Sequence, residues 1–224
     1  MSKLNDPKKT AGTGEGAAAL ARGGNGQPAK TQRQQQKERT RLRLIETALS
    51  LYARQGLLAT RTADVAREAG VSHGTVFAHF ATQEALLDAV IGEFGVRVDA
   101  RLHELASRGG SLREVLQAHL AGLREAEPFY GRLVRESRLL PNGARHVLTA
   151  IQSAISHHLC EAAEREMEAG SVRPMPLHLL FNTWIGLLHY YLANDDLFAP
   201  EGSVLERYGE ELLAHYLSLL APRE

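Results

Sequence analysis

Residues Arg61 to Phe80 read RTADVAREAGVSHGTVFAHF. The stretch divides into two short helices around a tight turn. Val65, Ala66 and Ala69 fall on one face of the first. Gly70 ends that helix, because a residue without Cβ takes positive φ freely. Val71 plugs the turn, and Ser72 is a good N-cap for the second helix. Val76 and Phe80 point inward at i and i+4, leaving His73, Gly74, Thr75, Phe77 and His79 facing outward. A small alanine-rich helix, a glycine turn and a second helix with a polar outer face form a helix-turn-helix. The second helix has the size of a reader of the DNA major groove.

The flanking residues extend the pattern. An acidic residue, an aliphatic residue and Ala stand at Asp64-Val65-Ala66, followed by Ala69-Gly70-Val71-Ser72 and Phe77-Ala78-His79-Phe80. A polar cap and Thr82-Gln83-Glu84-Ala85-Leu86-Leu87 come next. In this order, from Thr40 to Val90, the chain resembles the TetR family of bacterial repressors. The resemblance implies an all-α protein: a three-helix DNA-binding head, then a helical domain for ligand binding and dimerisation. It also implies a homodimer on a palindromic double-stranded operator, released by a small-molecule effector, with no enzymatic activity.

The DNA-binding candidates are Arg41, Thr60, Arg61, Thr62, Ser72, His73, Gly74, Thr75, Phe77 and His79. Gly74 lets the backbone approach the groove. Thr75 offers a methyl and a hydroxyl to a thymine edge or a phosphate, and His73 can donate to guanine N7. The resemblance makes His79 a phosphate contact. It places Phe77 where the family usually has a phosphate-contacting Tyr, and Phe retains only an apolar contact. The family's Ser/Thr cap of the second helix falls at Arg61, leaving Thr60 as an alternative cap and Thr62 as an alternative phosphate ligand. Gln83 stands where Lys is frequent. Arg39, Arg41 and Arg43 can compensate electrostatically, or simply form a solvated helix face.

Outward from the motif the chain is helical by period. A helix from about Lys37 to Gln55 shows the stripe Leu42, Ile45, Leu49 and Tyr52, ended by Gly56. A long helix capped by Thr82 carries Leu86 to Leu105. Further helices begin near Ser111, Pro128 and Pro141-Asn142-Gly143. Two more carry Leu177 to Leu192 and Leu205 to Leu220, with a loop at 194–202 between them. About nine helices are expected in three parts: an arm over 1–37, too poor in apolar residues to fold; a DNA-binding domain over 38–98; and a ligand-binding and dimerisation domain over 99–224.

Formal net charge is zero, but it is unevenly spread. Residues 1–40 hold eight Lys/Arg and three Asp/Glu, a net of +5, whereas 41–105 and 106–224 carry −1 and −4. Positive charge thus leads into the helix-turn-helix, where a phosphate-binding surface is needed. One cysteine, Cys160, excludes an internal disulfide framework and suits a reducing cytoplasm. No apolar run reaches membrane-spanning length, and no h-region follows the N-terminal lysines. Ten histidines raise the question of a metal. Adjacent His157 and His158 diverge by about 100° on a helix; the i, i+3 pair His157 and Cys160 could share an ion, but structural-zinc spacing is absent, and no metal or cofactor is expected. Neither a Ser/His/Asp order nor a phosphate loop points to an enzyme.

Two further sets of residues follow from the resemblance. A ligand pocket would draw on Phe94, Val98, Leu102, Leu120, Tyr130, Ile151, Ile155, Trp184 and Leu188. Aromatics at helical spacing equally suit a closed core. A four-helix dimer interface would draw on Leu180, Trp184, Leu187, Tyr191, Leu205, Tyr208, Leu212 and Tyr216. The alternative function is a DNA-binding regulator without an effector, controlled by a partner protein or by abundance.

Overall fold

The computed structural model describes residues 31–222. Among them are ten α-helices, one 3-10 turn and no strand, in agreement with the all-α expectation. The expected arm falls almost wholly outside the described residues. Helix α1 spans Gln32–Gln55, starting five residues before Lys37. A capping box starts it: Thr31 Oγ1 accepts from Gln34 N–H, and Gln34 Oε1 accepts from Thr31 N–H at 2.8 Å. Its buried stripe is Leu44, Ile45, Ala48, Leu51 and Tyr52, and Leu42 is exposed. Arg41 explains the shift. It takes the inward slot one turn before Leu44, with its guanidinium over the Phe80 ring at 4.7 Å.

Gly56 ends α1 at φ +96°, and a Cβ there would lie 2.8 Å from Glu136 Oε1. The positive φ favours glycine, and a side chain there would displace the Glu136 carboxylate. Glu136 Oε2 accepts from the N–H groups of Leu57 and Leu58 at 3.0 and 3.3 Å, so a carboxylate from a distant helix caps the loop after α1. Helices α2 (Thr62–Glu68) and α3 (His73–His79) follow. Helix α4 (Gln83–Ser107), capped by Thr82 Oγ1 on Ala85 N–H, runs from the head into the body without a break at residue 98.

The body comprises α5 (Leu112–Arg124), α6 (Glu127–Glu136), a 3-10 turn at Ser137–Leu139, α7 (Asn142–Glu168) and α8 (Leu177–Ala193). Helices α9 (Asp195–Phe198) and α10 (Val204–Leu220) complete it. The helical turn of α9 lies within the segment read as a loop. The most extensive helix pairing is α4 on α7. Gly95 makes it possible, since a Cβ there would overlap the Ile151 side chain. On the other side of α4, Gly122 of α5 sits against Val98. Helix α4 is thus gripped by two neighbours where the head gives way to the body. Among the described residues no helix is long and apolar enough to cross a membrane.

Candidate nucleic-acid interface

The helix-turn-helix rests on buried Val65, Ala66, Val76 and Phe80. The turn bends at Gly70, φ +63°. Ser72 caps α3, its Oγ accepting from Thr75 N–H at 3.1 Å and lying 2.8 Å from Thr75 Oγ1. The start of α2 differs from expectation. Thr60 is buried and donates its hydroxyl to Gly56 O at 2.8 Å, so it serves neither as the cap nor at the surface. Asp64 reaches back instead, accepting from Arg61 N–H at 3.1 Å and from Arg67 at 2.6 Å. Those two hydrogen bonds, the backbone one first, hold its carboxyl below the usual range. Thr62 is also buried, with Oγ1 3.0 Å from His73 Nε2. It orients His73 rather than presenting itself to a phosphate.

Ser72, His73, Gly74 and Phe77 of the outer face are exposed, and Thr75 and His79 are half-buried. Phe77 leaves 45% of its surface to solvent, with the His73 ring edge-on at 4.8 Å. Arg61 is exposed at the start of α2. At one edge of the head, α1 and α3 bring nitrogen-rich side chains together. Burial lowers the pKa of His79, and the charges of Lys37 and Arg41 lower it further. His79 Nδ1 and Arg41 Nη1 are both buried without a hydrogen-bond partner among the described residues. A neutral imidazole beside two cations, with donors to spare, is chemically suited to an oxyanion such as a DNA phosphate.

A family model for bacterial regulatory proteins of the tetR family matches residues 44–90, the segment just described. Residues 44–90 therefore match the DNA-binding segment of that family. A helix-turn-helix-type transcriptional repressor of Mycobacterium tuberculosis is 36% identical over 63 residues, which is 28% of this chain and 34% of the relative. The chain therefore spans about a third of the length of that curated relative. Solved structures extend the likeness to the whole fold. Escherichia coli NemR in its reduced form has a TM-score of 0.68 at 19% identity, covering 83% of this chain and 98% of that one. Bacillus subtilis FadR in complex with stearoyl-CoA has a TM-score of 0.65 at 16% identity, covering 79% and 97%.

The body of this chain holds a cavity of about 240 Å³ between α6, α7 and α8. Tyr130, Leu133, Val134 and Ser137 line one side; Arg145, Leu148, Thr149 and Gln152 of α7 line another; His189 of α8 lines the third. Of the residues expected around a pocket, only Tyr130 is among them. Phe94, Val98, Leu102, Leu120, Ile155, Trp184 and Leu188 are buried in close packing, and Ile151 fills the space above Gly95. The glycines that let α5 and α7 close on α4 remove the room those stripes would have enclosed. Polar pairs are buried here too. Tyr130 Oη lies 2.7 Å from His189 Nε2, and Trp184 Nε1 donates to His119 Nδ1 at 3.0 Å. Burial, helped by the nearby His189, pushes His119 down to about 3; burial lowers His189 and raises Tyr130 as well. Arg145, Thr149 and Gln152 escaped sequence reading. Their signal was a polar i, i+4, i+7 row on an otherwise amphipathic helix.

The expected dimer residues also need correction. Leu180, Trp184, Leu205, Leu212 and Tyr216 are buried within the protomer, and Tyr216 donates its hydroxyl to Leu180 O at 2.6 Å. They have no surface to offer a second chain. Leu187, Tyr191 and Tyr208 are half-buried. On α8 the exposed side carries Leu179, Gly186 and Tyr190, with Leu219 exposed on α10. A Cβ at Gly186 would meet no atom of its own chain within 4 Å.

Proposed function

We propose that this protein is a cytoplasmic transcriptional repressor that binds a near-palindromic operator as a homodimer and leaves it on binding a small-molecule effector. The observation that carries this reading is the outer face of α3: seven residues held by a buried floor, with His73, Gly74 and Phe77 free to enter a groove. In this reading His73, Gly74 and Thr75 face base edges and Phe77 meets sugar or a thymine methyl. His79, Arg41 and Arg61 hold phosphates. The repressor of M. tuberculosis supports the direction of regulation, and the stearoyl-CoA in the FadR structure supports a ligand-holding body.

One α3 reads too few base pairs for specificity, so two copies must sit about one DNA turn apart, roughly 34–36 Å. We place the dimer contact on the exposed side of α8 and α10, through Leu179, Gly186, Tyr190 and Leu219. Gly186 has no packing role inside the protomer, and its missing side chain lets a partner helix come close. Body and head are joined by α4, continuous from Gln83 to Ser107, and by α6, which packs on α1 and sets Glu136 on the loop after it. An effector that moves either would change the spacing of the two reading helices. The test is selection of duplex DNA from a random pool by the purified full chain, with light scattering on the complex. Enriched inverted repeats bound by two protomers are expected. Enrichment of no sequence, or a monomer at micromolar concentration, would overturn the proposal.

A further inference from the structure

The cavity between α6, α7 and α8 has a chemistry of its own. It is small, at about 240 Å³, which is room for roughly ten non-hydrogen atoms and falls just below the usual range of ligand pockets. Leu133, Val134 and Leu148 give it apolar walls. Among the described residues Arg145 is the one cation lining it, and no carboxylate does. One Arg145 nitrogen, Nη2, donates to Leu140 O at 3.1 Å, which anchors the side chain and leaves its other N–H groups uncommitted by that bond. The Ser137 and Thr149 hydroxyls donate to Val134 O and Arg145 O, both at 2.9 Å. Their hydroxyl protons are thus committed to the backbone, and Gln152 adds an amide to the lining.

The remaining wall is the Tyr130–His189 pair. Phe94 stacks on Tyr130 with centroids 5.3 Å apart and fixes the phenol ring. His189 is kept neutral by burial, so the pair adds polar atoms and no second charge. Arg145 is exposed at the open side of the cavity; a neutral ligand would make no use of its charge, and a cation would be repelled by it. A bulky anion would not fit.

We infer that this cavity binds a small organic carboxylate, with Arg145 holding the carboxylate and Leu133, Val134 and Leu148 holding a short hydrocarbon body. This inference rests on the effector reading above and names the ligand class for it. Charge-assisted hydrogen bonds to guanidinium are about twice as strong as neutral ones, so the acid must outbind its uncharged counterpart.

The experiment uses the full chain, calorimetry and thermal melting, with benzoate, hexanoate and octanoate as probes. Benzamide, hexanamide and benzylamine serve as the neutral and cationic controls. At least one carboxylate should raise the melting temperature and bind tenfold or more tightly than its amide, and benzylamine should not bind. Arg145→Gln should abolish the preference for acid over amide, and Arg145→Lys should restore part of it. Leu148→Trp, which fills the cavity while leaving Arg145 in place, should remove binding of both. Three outcomes overturn the inference: no probe acid binds, acid and amide bind alike, or the Arg145→Gln protein, melting cooperatively as a folded chain, keeps the wild-type preference. DNA retention on the selected operator separates this inference from the broader proposal. If an acid binds without loosening DNA, the ligand class stands and effector release fails. If another compound loosens DNA while no acid binds, release stands and the ligand class fails.

Discussion

The head and the body of this protein bury polar groups in opposite ways. In the head, most hydrogen-bonding pairs reach the surface: Ser72 with Thr75, Asp64 with Arg67, and buried Thr62 with exposed His73. They lock seven-residue helices too short to be stable alone while leaving an outer face in solvent. In the body, helices of up to 27 residues draw such pairs inward. His119 with Trp184 is fully buried, Tyr130 with His189 lines the α6–α7–α8 cavity, and burial shifts the pKa values of His119, Tyr130 and His189. The difference teaches where each region is sensitive. The head depends on local caps and on what it presents outward; the body depends on close packing and on protonation state.

The sharpest way to break this contrast is to attack the packing. Gly95→Leu should destabilise the protein by about 3 kcal/mol, because the new side chain must displace Ile151 from the α4–α7 contact. Adding Ile151→Ala should recover much of that stability, and urea denaturation of the double-mutant cycle measures the coupling. Additive effects would mean that the two helices do not meet there.

Acid is the next largest lever. His119 has its pKa lowered from 6.5 to about 3 in the folded chain, so below pH 6.5 the unfolded chain binds more protons. Its contribution to stability is fully present above pH 6.5 and is lost as pH falls toward 3. His189, also lowered, acts in the same direction. Unfolding free energy should therefore fall by about 2 kcal/mol between pH 6.5 and pH 4.5. His119→Gln keeps an acceptor for Trp184 and has no proton to gain, so its pH profile should be flatter. A variant as acid-sensitive as the wild type would remove His119 as the cause.

Substitutions on the head should spare stability and alter recognition. His73→Ala and Thr75→Ala should each cost about 1 kcal/mol of discrimination at particular base pairs. That is the low end for a base contact, because both groups are already held by Thr62 and Ser72. His79→Ala should weaken operator and random DNA alike. Selected sites with unchanged base preferences in all three variants would overturn this division. The smallest effect concerns the arm. Deleting residues 1–30 removes five Lys/Arg. It should leave stability within about 0.5 kcal/mol. The logarithmic salt dependence of DNA binding should become shallower, by up to about 0.9 for each phosphate that the arm no longer neutralises. An unchanged slope would mean that the arm stays off the DNA.

The same contrast explains what could be read without coordinates. Gly70, Ser72, Val76 and Phe80 act on neighbours within a few positions, so local spacing revealed the helix-turn-helix and its outer face. Thr60 misled because its hydroxyl returns to Gly56 O four residues back, a choice that α2's sequence does not display. Leu42 misled because Arg41, through its cation–π contact with Phe80, holds the inward position. In the body the decisive contacts are long-range. Whether Val98 and Ile151 line a hole or close it depends on Gly122 and Gly95, and a helical stripe reads the same in both cases. The resemblance placed Trp184 and Tyr216 at an interface, yet their rings meet tilted, with centroids 5.1 Å apart, inside one protomer.

Glu136 has a consequence for modularity. A head cut at residue 98 would lose the carboxylate that receives Leu57 and Leu58, and with it Arg132, which donates to Ala53 O at 3.4 Å. The N–H of Leu57, a buried residue, would then lack its acceptor, and the face of α1 that packs on α6 would meet water. The DNA-reading part of this protein is therefore continuous in sequence and incomplete as a folding unit. Grafting it onto another sensor body requires that α6, or at least an acidic side chain at the same height, travel with it.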